Sequence, residues 1–253
     1  MGAGVRTQLL ASTALTTSTV FIATTAWAAP PTPRYTWTGC YVGANAGAAF
    51  NHVDNTVDVP GIASFATSDR NTSFTGGGGA GCNLQFDPHW VVGLEGDFNY
   101  LNGKAGQNFR IRFNGEDTVG SQDTTVRWLA TLRGRFGYAW DRSFLYATGG
   151  FAFGDVRSSV IATRTDGSGR IREEYTGSYS STRTGWTIGG GFEYLLTDRL
   201  SAKFEYLHYD LGDANYLVNR VVSITTTLPA TWNASASASG DIVRVGLNYR
   251  LTP

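Results

Sequence analysis

WVVGLEGDFNYL, residues 90–101, decides the fold. Read with a period of two, Trp90, Val92, Leu94, Phe98 and Tyr100 share one face of a strand, and Glu95, Asp97 and Asn99 share the other. A half-buried strand in a soluble sheet reads the same way. Which face is inside must therefore come from the rest of the chain.

Seven further segments alternate similarly: 37–48, 78–86, 125–139, 143–155, 184–196, 199–208 and 241–251. Their connections differ sharply in length. Asp87-Pro88-His89, Asp141-Arg142 and Thr197-Asp198-Arg199 read as tight turns. The other four, roughly 50–76, 102–124, 157–182 and 210–240, are long and rich in Gly, Ser, Thr, Asn and Asp, which compact soluble domains seldom tolerate. Eight strands with short turns at one end and long connections at the other predict an all-β fold. The expectation is an eight-stranded antiparallel transmembrane β-barrel with periplasmic termini and four long extracellular loops.

Comparing the two faces answers the opening question. One face collects Cys40, Val42, Cys82, Leu84, Val126, Trp128, Leu132, Phe136, Leu145, Phe151, Ile188, Phe192, Phe204, Val245 and Leu247, and carries no charge. The other gathers Glu95, Asp97, Arg127, Arg133, Arg135, Glu193, Lys203, Glu205, Arg244 and Arg250. A soluble barrel would invert this arrangement. A cation facing the bilayer midplane costs about 2–4 kcal/mol, so lipid accounts for a charge-free outer belt and the charges belong in the lumen. Trp90, Tyr138, Trp140, Tyr194 and Tyr249 at the turn side, with Tyr100, Trp128, Trp186 and Tyr206 at the loop side, form two aromatic girdles.

Residues 1–28 read as a signal peptide: Arg6 is followed by an apolar, small-residue stretch and then Ala26-Trp27-Ala28. Residues 29–36 make a short periplasmic segment, and 37–253 the barrel. The 32 glycines and 33 aromatics suit tightly curved sheets. A formal net charge of zero gives no reason to expect a nucleic-acid partner.

The final strand, GDIVRVGLNYRLTP, carries Arg244, Gly246, Tyr249 and Leu251 in an order that resembles the C-terminal β-signal read by the barrel-assembly machinery. Such signals usually end on an aromatic; here Leu251 takes that place and Thr252-Pro253 follow. With YTWTGCYVGANAG (35–47), GCNLQFDPHWVVGLEGDF (81–98), LATLRGRFGYAWDRSFLYATGGFAFG (129–154) and GWTIGGGFEYLLTDRLSAKFEYLHYDLG (185–212), nearly all of the mature chain resembles the small porin-family, OmpA-like outer-membrane β-barrels of Gram-negative bacteria. The resemblance implies the bacterial outer membrane as location. It implies outer-membrane lipids, lipopolysaccharide and the assembly machinery as partners, and a structural, surface-binding or pore-forming role.

An eight-stranded barrel has a lumen that side chains can fill. The ten lumenal charges above then read as a self-neutralising network that closes a monomeric barrel, with a narrow ion path as the alternative. Cys40 and Cys82, on adjacent strands in an oxidising compartment, could form a cross-strand disulfide. Two cysteines without a nearby His make a poor metal site, and no cofactor is expected. His52, His89 and His208 fall at separate places, and His208-Tyr209-Asp210 lacks a Ser motif or a second His, so an enzyme is not expected. Gly76–Gly79 reads as flexibility at a strand entrance, and residues 233–240 (NASASASG) as a mobile tip.

Overall fold

The computed structural model describes residues 35–59, 63–113, 116–223 and 231–251. The expected signal peptide, and all but Tyr35 and Thr36 of the expected N-terminal segment, lie outside them. Eight antiparallel strands follow in chain order: β1 (Gly39–Val59), β2 (Ala63–Gln85), β3 (Trp90–Phe113), β4 (Glu116–Trp140), β5 (Ser143–Thr165), β6 (Ile171–Leu195), β7 (Leu200–Ser223) and β8 (Thr231–Arg250). Each pairs with its sequence neighbours, and β1 pairs with β8 from Tyr41↔Arg250 to Asp58↔Asn233, so the sheet closes. Gly39, Arg250 and the connections after β2, β4 and β6 all lie at one end. The tightest of these uses Asp141 at φ 49°, the left-handed conformation that a two-residue hairpin demands.

The four long loops are a correction. Most of their residues continue the strands: the pairing of β4 with β5 runs to Asp117↔Thr165 and that of β1 with β2 to Val59↔Ala63. Gly76–Gly79 lie within β2, and the NASASASG tract belongs to β8. That tract alternates Ala234, Ala236 and Ala238 inward, all buried, with Asn233, Ser235, Ser237 and Ser239 outward. Above the apolar belt the outer face meets water rather than lipid, so strand alternation there looks polar and loop-like.

A β-bulge produces a second correction. The β4–β5 register shifts between Val126 and Leu129, opposite a shift between Tyr100 and Gly103 in β3. A bulge puts two consecutive residues where one belongs, and parity flips across it. Val126 is therefore buried in the lumen rather than outward. Arg127 is exposed on the outside instead of joining the lumenal charges.

The lumen is layered. At the turn end Trp37, Val91, Ala139, Phe144, Tyr146 and Leu195 pack together, with Trp37 and Phe144 ring centroids 5.2 Å apart. Charged side chains fill the next level. Above them lies a second apolar layer containing Leu101, Val126, Leu129, Val156, Leu207, Leu211 and Ile242. A third cluster, including Tyr175, Tyr216 and Val218, fills the upper part.

Candidate functional site: the lumenal charge layer

Inward positions on six strands bring nine groups together. Arg133 of β4 donates to Glu95 (2.6 Å) and Asp97 (2.7 Å) of β3, and reaches Glu205 of β7 at 3.2 Å. Arg244 of β8 donates through Nε to Glu205 (2.7 Å) and through Nη2 to Asp97 (3.0 Å). Arg135 joins Glu193 of β6 (2.7 Å) and Glu95 (3.2 Å), and Lys203 of β7 reaches Glu95 at 2.9 Å. Tyr41 of β1 donates to Glu95 and accepts from Arg135. These eight ionic side chains are 0–5 % exposed, and four acids meet four bases. Burial of each ion costs several kcal/mol, which only mutual pairing with satisfied hydrogen bonds offsets.

Neutral groups supply further hydrogen bonds, Arg135 Nε having none among the described residues. Thr131 donates to Asp97 (2.8 Å), Tyr146 to Glu205 (2.8 Å), Ser201 to Glu193 (2.5 Å) and Asn248 to Glu193 (2.8 Å). The Arg135 guanidinium also lies 3.9 Å from the Tyr146 ring centroid. None of these residues, nor Tyr41, stands out in the sequence by charge. Strand parity alone marks them: Tyr41 lies four residues before inward Asn45, and Tyr146 two before inward Thr148.

Glycines on the lumenal wall provide the space. A Cβ on Gly79 would lie 2.8 Å from Asp97 Cβ, one on Gly77 2.7 Å from Asn99 Cα, and one on Gly81 2.6 Å from the Tyr41 ring. The run in β2 thus makes room for the long side chains of β1 and β3. Between these side chains lies a cavity of about 10 Å³ lined by Tyr41, Asn45, Glu95, Asp97, Lys203 and Asn248, the size of roughly one water.

Two of the ten expected network residues lie elsewhere. Arg127 is outside, for the reason given above. Arg250 is buried at the turn-end mouth, where it donates to the carbonyls of Thr36 (2.6 Å) and Thr38 (3.2 Å) and makes no ion pair among the described residues. It holds the N-terminal segment across the mouth, with Trp37 N donating to Gln85 at 2.8 Å. A second ionic cluster, higher in the lumen, was missed because its members fall in the segments read as loops. Arg164 pairs with Glu116 and with Glu173 (3.1 Å), and Tyr175 donates to Glu173 (3.0 Å).

Cys40 and Cys82 are register partners on β1 and β2, joined by a disulfide with Cα atoms 4.0 Å apart. On β8, Arg244 and Gly246 face inward and Tyr249 and Leu251 outward. His52 and His208 both lie beside Asp241, His52 accepting from Arg70 (2.5 Å) and His208 Nδ1 meeting Asp241 (2.9 Å), while His89 stacks on Tyr138 (5.0 Å) at the opposite end. Tyr209 turns into the lumen toward Asn51, away from His208. Among the described residues no three His, Cys, Asp or Glu side chains are grouped to hold a metal.

The model of the outer membrane protein beta-barrel domain family matches residues 19–250. A 31 kDa outer-membrane immunogenic protein of Brucella melitensis is 32 % identical, over 96 % of this chain and 95 % of its own. A 22 kDa outer membrane protein of Rhizobium leguminosarum bv. viciae is 29 % identical over 74 % and 71 %. Among solved structures, the Pseudomonas aeruginosa outer membrane protein OprG superposes with TM-score 0.50 at 12 % identity, covering 87 % of this chain and 99 % of its own, a likeness of fold alone.

Proposed function

We propose, since this chain belongs to the outer membrane protein β-barrel domain family, that it serves the outer membrane as a monomeric, non-enzymatic barrel with a structural or surface-interacting role. The lumen is closed by its own side chains. The short-turn end and both termini face the periplasm, and the strand extensions rise from the cell surface. Its partners are outer-membrane lipids and lipopolysaccharide, the assembly machinery reading Arg244, Gly246, Tyr249 and Leu251, and any surface ligand taken by the extensions.

One observation carries this reading: the charge layer lies between two apolar layers, Trp37–Phe144–Tyr146 below and Leu101–Leu129–Leu207–Leu211 above. An ion crossing the lumen would shed its water twice and displace paired charges once. Apolar constrictions alone stop conduction by dewetting. The competing reading, a narrow passive pore, draws on the unbroken chain of lumenal charges from Arg135 to Arg244.

Single-channel recording of refolded protein in planar bilayers, at low and high salt, separates the two. Silence from protein whose gel mobility proves it folded is the expected result. Stable, salt-dependent conductance steps would sink the closed-lumen reading and install the pore.

A further inference from the structure

We infer that Arg127 and Arg157 form a docking site for the phosphate of an outer-leaflet glycolipid, created by the β4 bulge; the inference rests on the membrane orientation proposed above.

The bulge decides where Arg127 points. With regular parity it would enter the lumen at the level of Leu101, Val126, Leu129 and Leu211, an apolar layer with no acid to receive it. An unpaired charge in such surroundings costs several kcal/mol. The bulge removes that cost and puts two consecutive residues, Arg127 and Trp128, on the outer side. Trp128 stacks on outward Phe98 with ring centroids 5.5 Å apart, so it belongs to the upper aromatic girdle. Arg127 is the next residue toward the extensions, at the height where acyl chains give way to head groups. It is exposed and makes no ion pair or hydrogen bond with any other described residue.

Arg157 lies on the neighbouring strand. It pairs with Thr125 of β4 across the ladder, two residues beyond Arg127 and on the same outward face. Its side chain is 52 % exposed and its Nε donates to Asp155 at 3.1 Å, while its terminal nitrogens make no hydrogen bond to another described residue. Two cations and Asp155 make up this level, the outward Asp123 above it leaning over Gly106 on the β3 side of β4, away from Arg157; set directly over an apolar belt, the two guanidinium groups complement an anionic group attached to acyl chains. Guanidinium groups bind phosphate oxygens bidentately, which sets this site apart from a site for a neutral headgroup.

The test uses the full barrel refolded into vesicles of three compositions: phosphatidylcholine with bisphosphorylated lipid A, with dephosphorylated lipid A, or with phosphatidylglycerol at matched charge. The readout is the temperature at which the folded gel band converts to the unfolded one. The expected result is a rise with bisphosphorylated lipid A that dephosphorylation removes and phosphatidylglycerol does not match. Arg127→Gln with Arg157→Gln should lose most of that rise, measured against the variant's own conversion temperature in pure phosphatidylcholine. Arg199→Gln, at the turn end, should keep the rise. Equal effects of lipid A with and without phosphate, or an undiminished rise in the double variant, overturn the site. An equal rise with phosphatidylglycerol overturns the glycolipid as its occupant. Orientation is read separately, by protease cleavage at Asp166–Gly169 on intact cells: protection there would refute the topology, without touching phosphate binding in vesicles.

Discussion

Arg133 and Glu205 sit on β4 and β7, three strands apart around the wall, yet their side chains meet at 3.2 Å across the lumen. The interior is therefore spanned rather than lined. Arg133→Met leaves Glu95, Asp97 and Glu205 each short of a donor in a water-poor layer, and loss of one partner in a buried pair costs about 3–5 kcal/mol. The heat-induced gel shift should move to clearly lower temperature. The exposed Arg110–Asp117 pair sets the contrast: Arg110→Met should cost no more than about 1 kcal/mol.

Lumenal and lipid-facing glycines should respond oppositely to a methyl group. At Gly77 a Cβ meets the Phe98 carbonyl oxygen at 2.1 Å and Asn99 Cα at 2.7 Å, whereas at outward Gly96 the nearest atom is 3.7 Å away. Gly77→Ala should destabilise by about 1–3 kcal/mol through overpacking. Gly96→Ala should be neutral, or stabilise by about 0.4–1 kcal/mol through the unfolded chain. Urea midpoints of the two refolded variants decide it.

Between Cys40↔Cys82 and Gly47↔Thr75 the β1–β2 ladder pairs mostly Gly and Ala, including Gly43↔Gly79, Ala44↔Gly78 and Ala46↔Gly76. Such a ladder specifies register weakly, and a slip of two residues keeps every side chain on its own face. The disulfide removes that freedom, since Cα atoms beyond about 7 Å cannot be bridged. Cys40→Ser/Cys82→Ser should lose about 2–4 kcal/mol. In that background Val42→Cys with Gly78→Cys, a pair two positions out of register, should become oxidisable. Failure of that pair to cross-link would mean that the network alone sets the register.

At the β5–β6 turn, Asp166 accepts from the Ser168 hydroxyl (2.6 Å), the Ser168 amide (2.9 Å) and the Arg170 amide (3.0 Å). The Ser168 hydroxyl, then the Arg170 amide, hold its carboxyl down to about 2 from an ordinary 3.8. A depressed carboxylate contributes order above its unfolded pKa and loses it as pH falls through the folded one. Protection of the Ser168 and Arg170 amides, relative to their intrinsic exchange rates at each pH, should therefore be high above pH 4 and fall toward pH 2, with that of strand amides unchanged. Asp166→Asn should leave both amides weakly protected throughout.

The belt-height strands were legible because lipid and lumen impose opposite chemistries on alternate residues, as Trp90 and Glu95 show. Above the belt that contrast disappears. Asn233 and Ser235 face water while Ala234 and Ala236 face the lumen, and a run of small residues reads as loop although it is strand. Arg127 was misplaced because a bulge has no side-chain signature: parity counted from Arg133 carries it inward, and only the register shift reverses it. Arg250 was assigned to the right face, but its partners are backbone carbonyls, which no residue code announces.

Arg244 belongs to β8, and its carboxylate partner Asp97 to β3. The β8 strand must dock on β1 before that charge layer is complete, so almost the whole chain has to be present before Asp97 and Glu205 have all their partners. Half-built intermediates gain little from the lumen and would show bare charge to hydrocarbon. Closure should thus be an all-or-none, late event dominated by contacts of very high sequence separation, and correspondingly slow.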